Sequence, residues 1–310
     1  VRFMIARTIR IRSPFACRRA ACARRATPTA RRASAPEREA ETVTKEPPEL
    51  AVFAPVTAAS SLLMVMWVAL PFPGSAWVGM TWHHEIVFAA MESLRIAPAS
   101  LILKYEALQS TIVPAPGLVH AVPAAVWSGL APFQLLSRGE GAHKAAGRTM
   151  LTMSGVMMAG FAAIDASGLT AQEHDFQGFG GPLADAVDAW LPSWLASFNQ
   201  GGMYTIAAWF LWAGLQCGLS ARAGDVRAHR AWAIRHIGAG LWVALQRPLF
   251  AALREVQYLT LPSGEAATAE AMADAFYVAA VAATALYVGA AEIIAREGTA
   301  AAEGAEDELV

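Results

Sequence analysis

Nineteen consecutive residues, Met203 to Ala221, carry no charge, and five further runs of the same chain are nearly as apolar. A hydrocarbon core about 30 Å thick needs roughly 20 apolar residues as helix, so each run is read as a membrane-crossing helix. Backbone amides in lipid must be satisfied internally, which at this length selects helices over strands. The six expected spans are Ala51 to Leu70, Ile112 to Leu136, Arg148 to Asp165, Met203 to Ala221, Ala231 to Ala251 and Ala275 to Ile294. The fifth is unusual, because Arg235, His236 and Arg247 lie inside it. With 55% hydrophobic and only 16% charged residues, the composition is too apolar for an ordinary soluble domain. The expected fold is an all-α polytopic transmembrane bundle of about six spans over residues 51–296.

The net charge of -1 conceals an asymmetry, since residues 1–36 hold 10 Arg and no Asp or Glu. That Arg-rich, acid-free segment is read as an organelle transit peptide, for a chloroplast in preference to a mitochondrion. Arg2, Arg7 and Arg10 interrupt the apolar core that a secretory signal needs, and the start of translation is placed at Met4 or upstream of Val1. The alternative is a basic arm for nucleic acid or anionic lipid. Only Phe3 and Phe15 interleave its charges, so no nucleic-acid partner is expected. Residues 37–50 read as a polar linker, and residues 297–310 as an acidic disordered tail. Cys17 and Cys22 fall in the presequence, leaving Cys217 alone, with no disulfide or thiolate metal site within one subunit.

Counting Lys and Arg in short loops sets the orientation. Arg38, Lys45, Arg138, Lys144, Arg148, Arg222, Arg227, Arg230, Arg235 and Arg296 share one side, against Arg95, Lys104 and Arg254 opposite, with Arg247 close to these. By the positive-inside rule the termini face the stroma, matrix or cytoplasm. Pro182 to Phe198 groups Trp190 and Trp194 on one helical face and is expected to lie in the interface, and Ile86 to Tyr105 is a second such candidate.

Two basic loops look like copies of one device. Arg138 to Arg148 and Arg222 to Arg235 each join two apolar runs and each carry an Ala-His-Lys/Arg-Ala core, with His143 and His229 86 residues apart. Together with His120, Trp127, Gly129, Gln134, Gly147, Arg148, Gly224, Asp225, Arg230, Trp232 and Arg235, these histidines make a pattern that resembles domain-of-unknown-function family 2306, a family of predicted membrane proteins. The resemblance covers roughly Leu118 to Arg247, and the second loop is its most specific part. Lys144 stands where the family's first loop has Arg, and Ala233 where Met is usual. The resemblance implies a polytopic membrane protein and brings no established activity.

The chemistry is therefore argued from ionisable groups at membrane depth, which are expensive and tend to be functional or paired. Two neutral His on neighbouring helices at similar depth suit the axial positions of a b-type haem. His143 with His229 or His236 meets that description, with Arg148 or Arg235 available to neutralise the propionates. His229 and His236, seven residues apart, share one helical face. His120 lies toward the opposite surface, where only His83 or His84 could join it. No Cys-x-x-Cys-His is present, so covalent haem attachment is excluded. Structural alternatives stand beside each assignment. His143 and His229 as capping or headgroup residues, His120 bonded to a neighbouring helix, Arg235 paired with Asp225, and Met150, Met153, Met157 and Met158 as packing are all consistent with the sequence. Three functions follow: a haem b redox protein of the lipid bilayer exchanging electrons with a quinone or another small carrier, a small-solute or proton transporter, and a non-catalytic assembly or lipid-organising protein. No Walker loop, dinucleotide fingerprint, Gly-x-Ser-x-Gly or His-Glu-x-x-His is present.

Overall fold

The computed structural model describes residues 48–69, 116–137, 140–170, 185–186, 189–190, 202–262, 264–265 and 268–307. Among them all regular structure is helical, in six long helices: α1 (Pro48–Ala69), α2 (Pro116–Leu136), α3 (Glu140–Ala166), α4 (Met203–Ala223), α5 (Val226–Thr260) and α6 (Ala269–Asp307). Residues 1–36, expected as a transit peptide, lie outside the described residues, as do His83, His84, Ile86 to Tyr105 and most of Pro182 to Phe198.

Three stretches are long and apolar enough to cross a membrane: Val119–Leu136 in α2, Gly141–Ala166 in α3 and Glu270–Glu297 in α6. This is the helical membrane protein that the composition requires. The apolar part of α1, Val52–Met66, is shorter. Large apolar side chains nevertheless point outward on several helices, among them Val52, Leu62 and Met66 on α1, Val122 and Phe133 on α2, and Leu211, Leu215 and Leu219 on α4. Soluble monomers rarely expose contiguous apolar surface on this scale.

The helices overrun the apolar runs at their charged ends. α3 begins at Glu140 instead of Arg148, and α5 extends over Val226–Thr260 instead of Ala231 to Ala251. Hydropathy reports only the stretch that is apolar, whereas backbone hydrogen bonding continues until a cap ends it. α6 likewise continues to Asp307 through the acidic segment, where Ala and Glu are strong helix formers. As a result His143 and His229 are not loop residues. Each is the fourth residue of its helix.

The α4–α5 turn shows why. Gly224 adopts φ 76°, a left-handed conformation that suits glycine, and its N–H bonds to the Ala221 carbonyl while the Asp225 N–H bonds to that of Ser220. This is the Schellman closure of a helix. Asp225 then starts the next helix at once, its Oδ1 accepting the Ala228 N–H at 2.9 Å. Two residues thus both stop α4 and start α5, and the helices pack side by side.

α5 is the centre of the bundle, packed against α4 and α6 along much of its length and touching α1 and α2. α2 packs on α3 and α1, and α3 touches α4. This central place accounts for Arg254. Arg254, expected on the far surface, is fully buried and donates to the Gln257 side chain and the Tyr258 hydroxyl. Charges at membrane depth are tolerated where protein supplies the partners.

Candidate functional site

The structure brings one pair of the sequence-selected histidines together. The His143 and His229 ring centres are 6.2 Å apart with the ring planes at 83°. Each ring is oriented from the preceding helix or its end. His229 Nδ1 is 3.0 Å from the Cys217 carbonyl oxygen of α4, with the Cys217 sulfur 3.4 Å away. A carbonyl only accepts, so His229 carries its proton on Nδ1 and leaves the Nε2 lone pair open. His143 Nδ1 is 3.1 Å from the Ser137 hydroxyl, just past the end of α2. Gln134 of α2 donates to the His143 carbonyl at 3.0 Å and so clamps the first turn of α3. No hydrogen-bond partner is present at Nε2 of either ring among the described residues. Arg148, five residues beyond His143, is exposed on α3.

His236 has a different environment. It is 2% exposed, and its Nδ1 donates to the Phe210 carbonyl of α4 at 2.9 Å. Its Nε2 therefore accepts, from the indole N–H of Trp127 at 3.1 Å, with the Ser154 hydroxyl at 2.9 Å. Phe210 stacks on the ring at 4.3 Å. Four helices meet at this imidazole and both its nitrogens are in use. Trp127 reaches it because Gly240 leaves room, since a Cβ there would stand 2.2 Å from the indole. As a haem ligand His236 would have to give up the Trp127 and Ser154 contacts, so the structure favours His229 over His236 as the partner of His143.

His120 also bonds to a neighbouring helix, Nδ1 donating to the Met157 carbonyl at 2.9 Å. The contact depends on close approach of α2 and α3, because a Cβ on Gly160 would stand 2.5 Å from the His120 backbone nitrogen. Met150 and Met157 are buried in the apolar core.

Arg235 is not paired with Asp225. Asp225 is occupied as the cap of α5, and the Arg235 partner is Glu292 of α6, held through Nε at 2.6 Å and Nη2 at 3.0 Å. Its guanidinium lies 4.8 Å from the centre of the Trp232 ring. Arg296 donates to the same carboxylate at 2.7 Å. Trp209 and Trp232, with ring centres 5.9 Å apart, line a crevice beside this triad.

Five of the residues that hold the histidines and Arg235 carry no motif: Ser137, Ser154, Phe210, Cys217 and Glu292. Glu292 had the clearest signal, as the one charge within the Ala275 to Ile294 run. Among the described residues no group of three or more His, Cys, Asp or Glu is placed to hold a metal ion. The donor set offered at His143 and His229 is thus two imidazoles. No family model, curated protein or solved structure matches the chain.

Proposed function

We propose that this is a six-span membrane redox protein in which His143 and His229 are the axial ligands of a b-type haem. The observation that carries the reading is the 6.2 Å separation of two rings whose Nδ1 atoms are engaged and whose Nε2 atoms have no partner among the described residues. Two metal–nitrogen bonds of about 2 Å, with about 1 Å from each nitrogen to its ring centre, give a separation of about 6 Å. Histidines that ligate metals commonly donate the other N–H to a carbonyl, which fixes tautomer and orientation. The Cys217 carbonyl does this for His229, and the Ser137 hydroxyl bonds the corresponding nitrogen of His143. Two imidazoles with no third donor among the described residues suit a haem better than zinc, which takes three or four protein ligands.

Bound there, haem would supply a one-electron couple. The chain's own part is to hold the rings and, at exposed Arg148, to offer a cation to the propionates. His236 and His120, bonded to neighbouring helices, position the bundle. A quinone or another small carrier is the electron partner in this reading. The outward apolar faces of α1 and α4 support counting them as spans, and the burial of Arg254 supports counting α5. The basic loops then place both termini and the haem on the stromal, matrix or cytoplasmic side, in a chloroplast membrane by the Arg-rich presequence. The resemblance to domain-of-unknown-function family 2306 belongs to the same proposal.

The test is a reduced-minus-oxidised visible spectrum of detergent-purified protein supplied with haem during expression. A b-type α-band is expected, abolished by His143→Ala and by His229→Ala and retained in His120→Ala. A folded protein with no band would overturn the reading and leave solute or proton transport, or a non-catalytic lipid-organising role.

A further inference from the structure

The crevice between α4, α5 and α6 has a chemistry separate from the histidine pair. Its volume is about 420 Å³, within the range of small-ligand sites. Trp209, Trp232 and Val288 make it largely apolar, and Arg235, Glu292 and Arg296 close one end.

The three charged residues are unevenly matched. Glu292 receives both guanidinium groups, Oε2 and Oε1 from Arg235 and Oε1 again from Arg296, so two cations share one anion. The cluster has a net charge of +1. Most of its unused hydrogen-bonding capacity is on the donor side, at Nη1 of Arg235 and both Nη atoms of Arg296, which have no protein partner among the described residues. Arg235 is 16% exposed and held by Glu292 and the Trp232 ring, so it is preorganised, whereas Arg296 is 76% exposed and free to close over a ligand. The cluster lies at the Arg296 end of the apolar stretch Glu270–Glu297, where a spanning helix meets the headgroups and where tryptophans concentrate.

We propose that this crevice binds the phosphate of an anionic phospholipid, with the headgroup against Arg235 and Arg296 and the glycerol and first acyl carbons along Trp209, Trp232 and Val288. Guanidinium groups match phosphate oxygens in pairs, and the surplus positive charge selects a lipid with net negative charge over a zwitterionic one. The proposal uses neither His143 nor His229 and stands apart from the haem reading.

The experiment titrates delipidated full-length protein in detergent with short-chain phosphatidylglycerol, with phosphatidylcholine of the same chains, and with inorganic phosphate, following tryptophan emission and Tm. Saturable binding of phosphatidylglycerol alone at the concentrations used is expected. Arg296→Gln, at an exposed position, should weaken it about fivefold. Glu292→Gln removes the competing carboxylate and should tighten it, even if the baseline Tm falls, which a purely structural salt bridge would not do. Equal effects of phosphatidylcholine would overturn the proposal, as would saturation by inorganic phosphate alone, which would identify a site for free oxyanions. An unchanged affinity in Arg296→Gln would overturn it even if Glu292→Gln fails to fold.

Discussion

Replacing His236 by Leu separates the buried imidazole from the candidate ligands. In the wild type the Trp127 indole N–H has its acceptor at 3.1 Å in a site where Trp127 is 1% exposed. With Leu at position 236 that N–H is orphaned, whereas the Ser154 hydroxyl keeps the Met150 carbonyl at 2.9 Å. One unsatisfied buried donor costs about 1–3 kcal/mol, although measured interhelical bonds in membrane proteins average nearer 0.6 kcal/mol. Trp127→Phe removes the donor and leaves a void beside Gly240, for about 1–2 kcal/mol. In the double variant the orphan no longer exists, so its destabilisation should fall short of the sum of the singles by about 1 kcal/mol, beyond the 0.3–0.5 kcal/mol tolerance of independent sites. The assay is equilibrium unfolding in detergent with a rising fraction of dodecyl sulfate, with the visible spectrum recorded on each folded variant. Additive single effects would refute the Trp127–His236 bond. Loss of a haem band in folded His236→Leu would refute the assignment of the ligand to His229.

Two further outcomes follow from the α4–α5 turn. Gly224→Ala forces a Cβ into the left-handed region and should cost about 1–2 kcal/mol, and Asp225→Ala removes the cap of α5 for about 1 kcal/mol, both read by the same unfolding assay. Cys217→Ala should leave a haem spectrum in place, because the Cys217 carbonyl, not its thiol, is the acceptor that fixes His229. A lost band in that variant would mean that the sulfur contact matters.

The helices were legible because apolar runs of membrane length leave little else to form, and their ends were not. α3 and α5 start in charged stretches, and what sets the start of α5 is cap geometry at Gly224 and Asp225, which hydropathy does not register. The nearness of His143 and His229 was legible from the duplicated loops. The separation of His229 from His236 was not, since both lie on one face of α5 and spacing treats them alike. What separates them is depth, because His236 is surrounded by α2, α3 and α4 and captured by a backbone carbonyl, an acceptor that every residue possesses and no motif marks. The Arg235 partner was misread for a related reason. Asp225 is near in sequence, but it is used by the cap, and Glu292 lies 57 residues away on the helix that packs against α5.

The pairing of His143 and His229 depends on where α3 and α5 start more than on direct packing, since α3 packs mainly on α2, and α5 on α4 and α6. Both imidazoles sit at the fourth position of their helices, one turn below the start, so each ring's position follows from where its helix begins. In each case the ring is bonded at Nδ1 by the preceding helix or its end, at Ser137 or Cys217, and the other nitrogen stays available. One residue added between the helix start and either histidine would rotate that ring by about 100° and raise it 1.5 Å relative to its anchor. Core histidines packed like His236 would be indifferent to loop length as long as their helices kept contact. This dependence on helix starts is what makes the duplicated basic segments, and not the apolar spans between them, the specific part of the sequence.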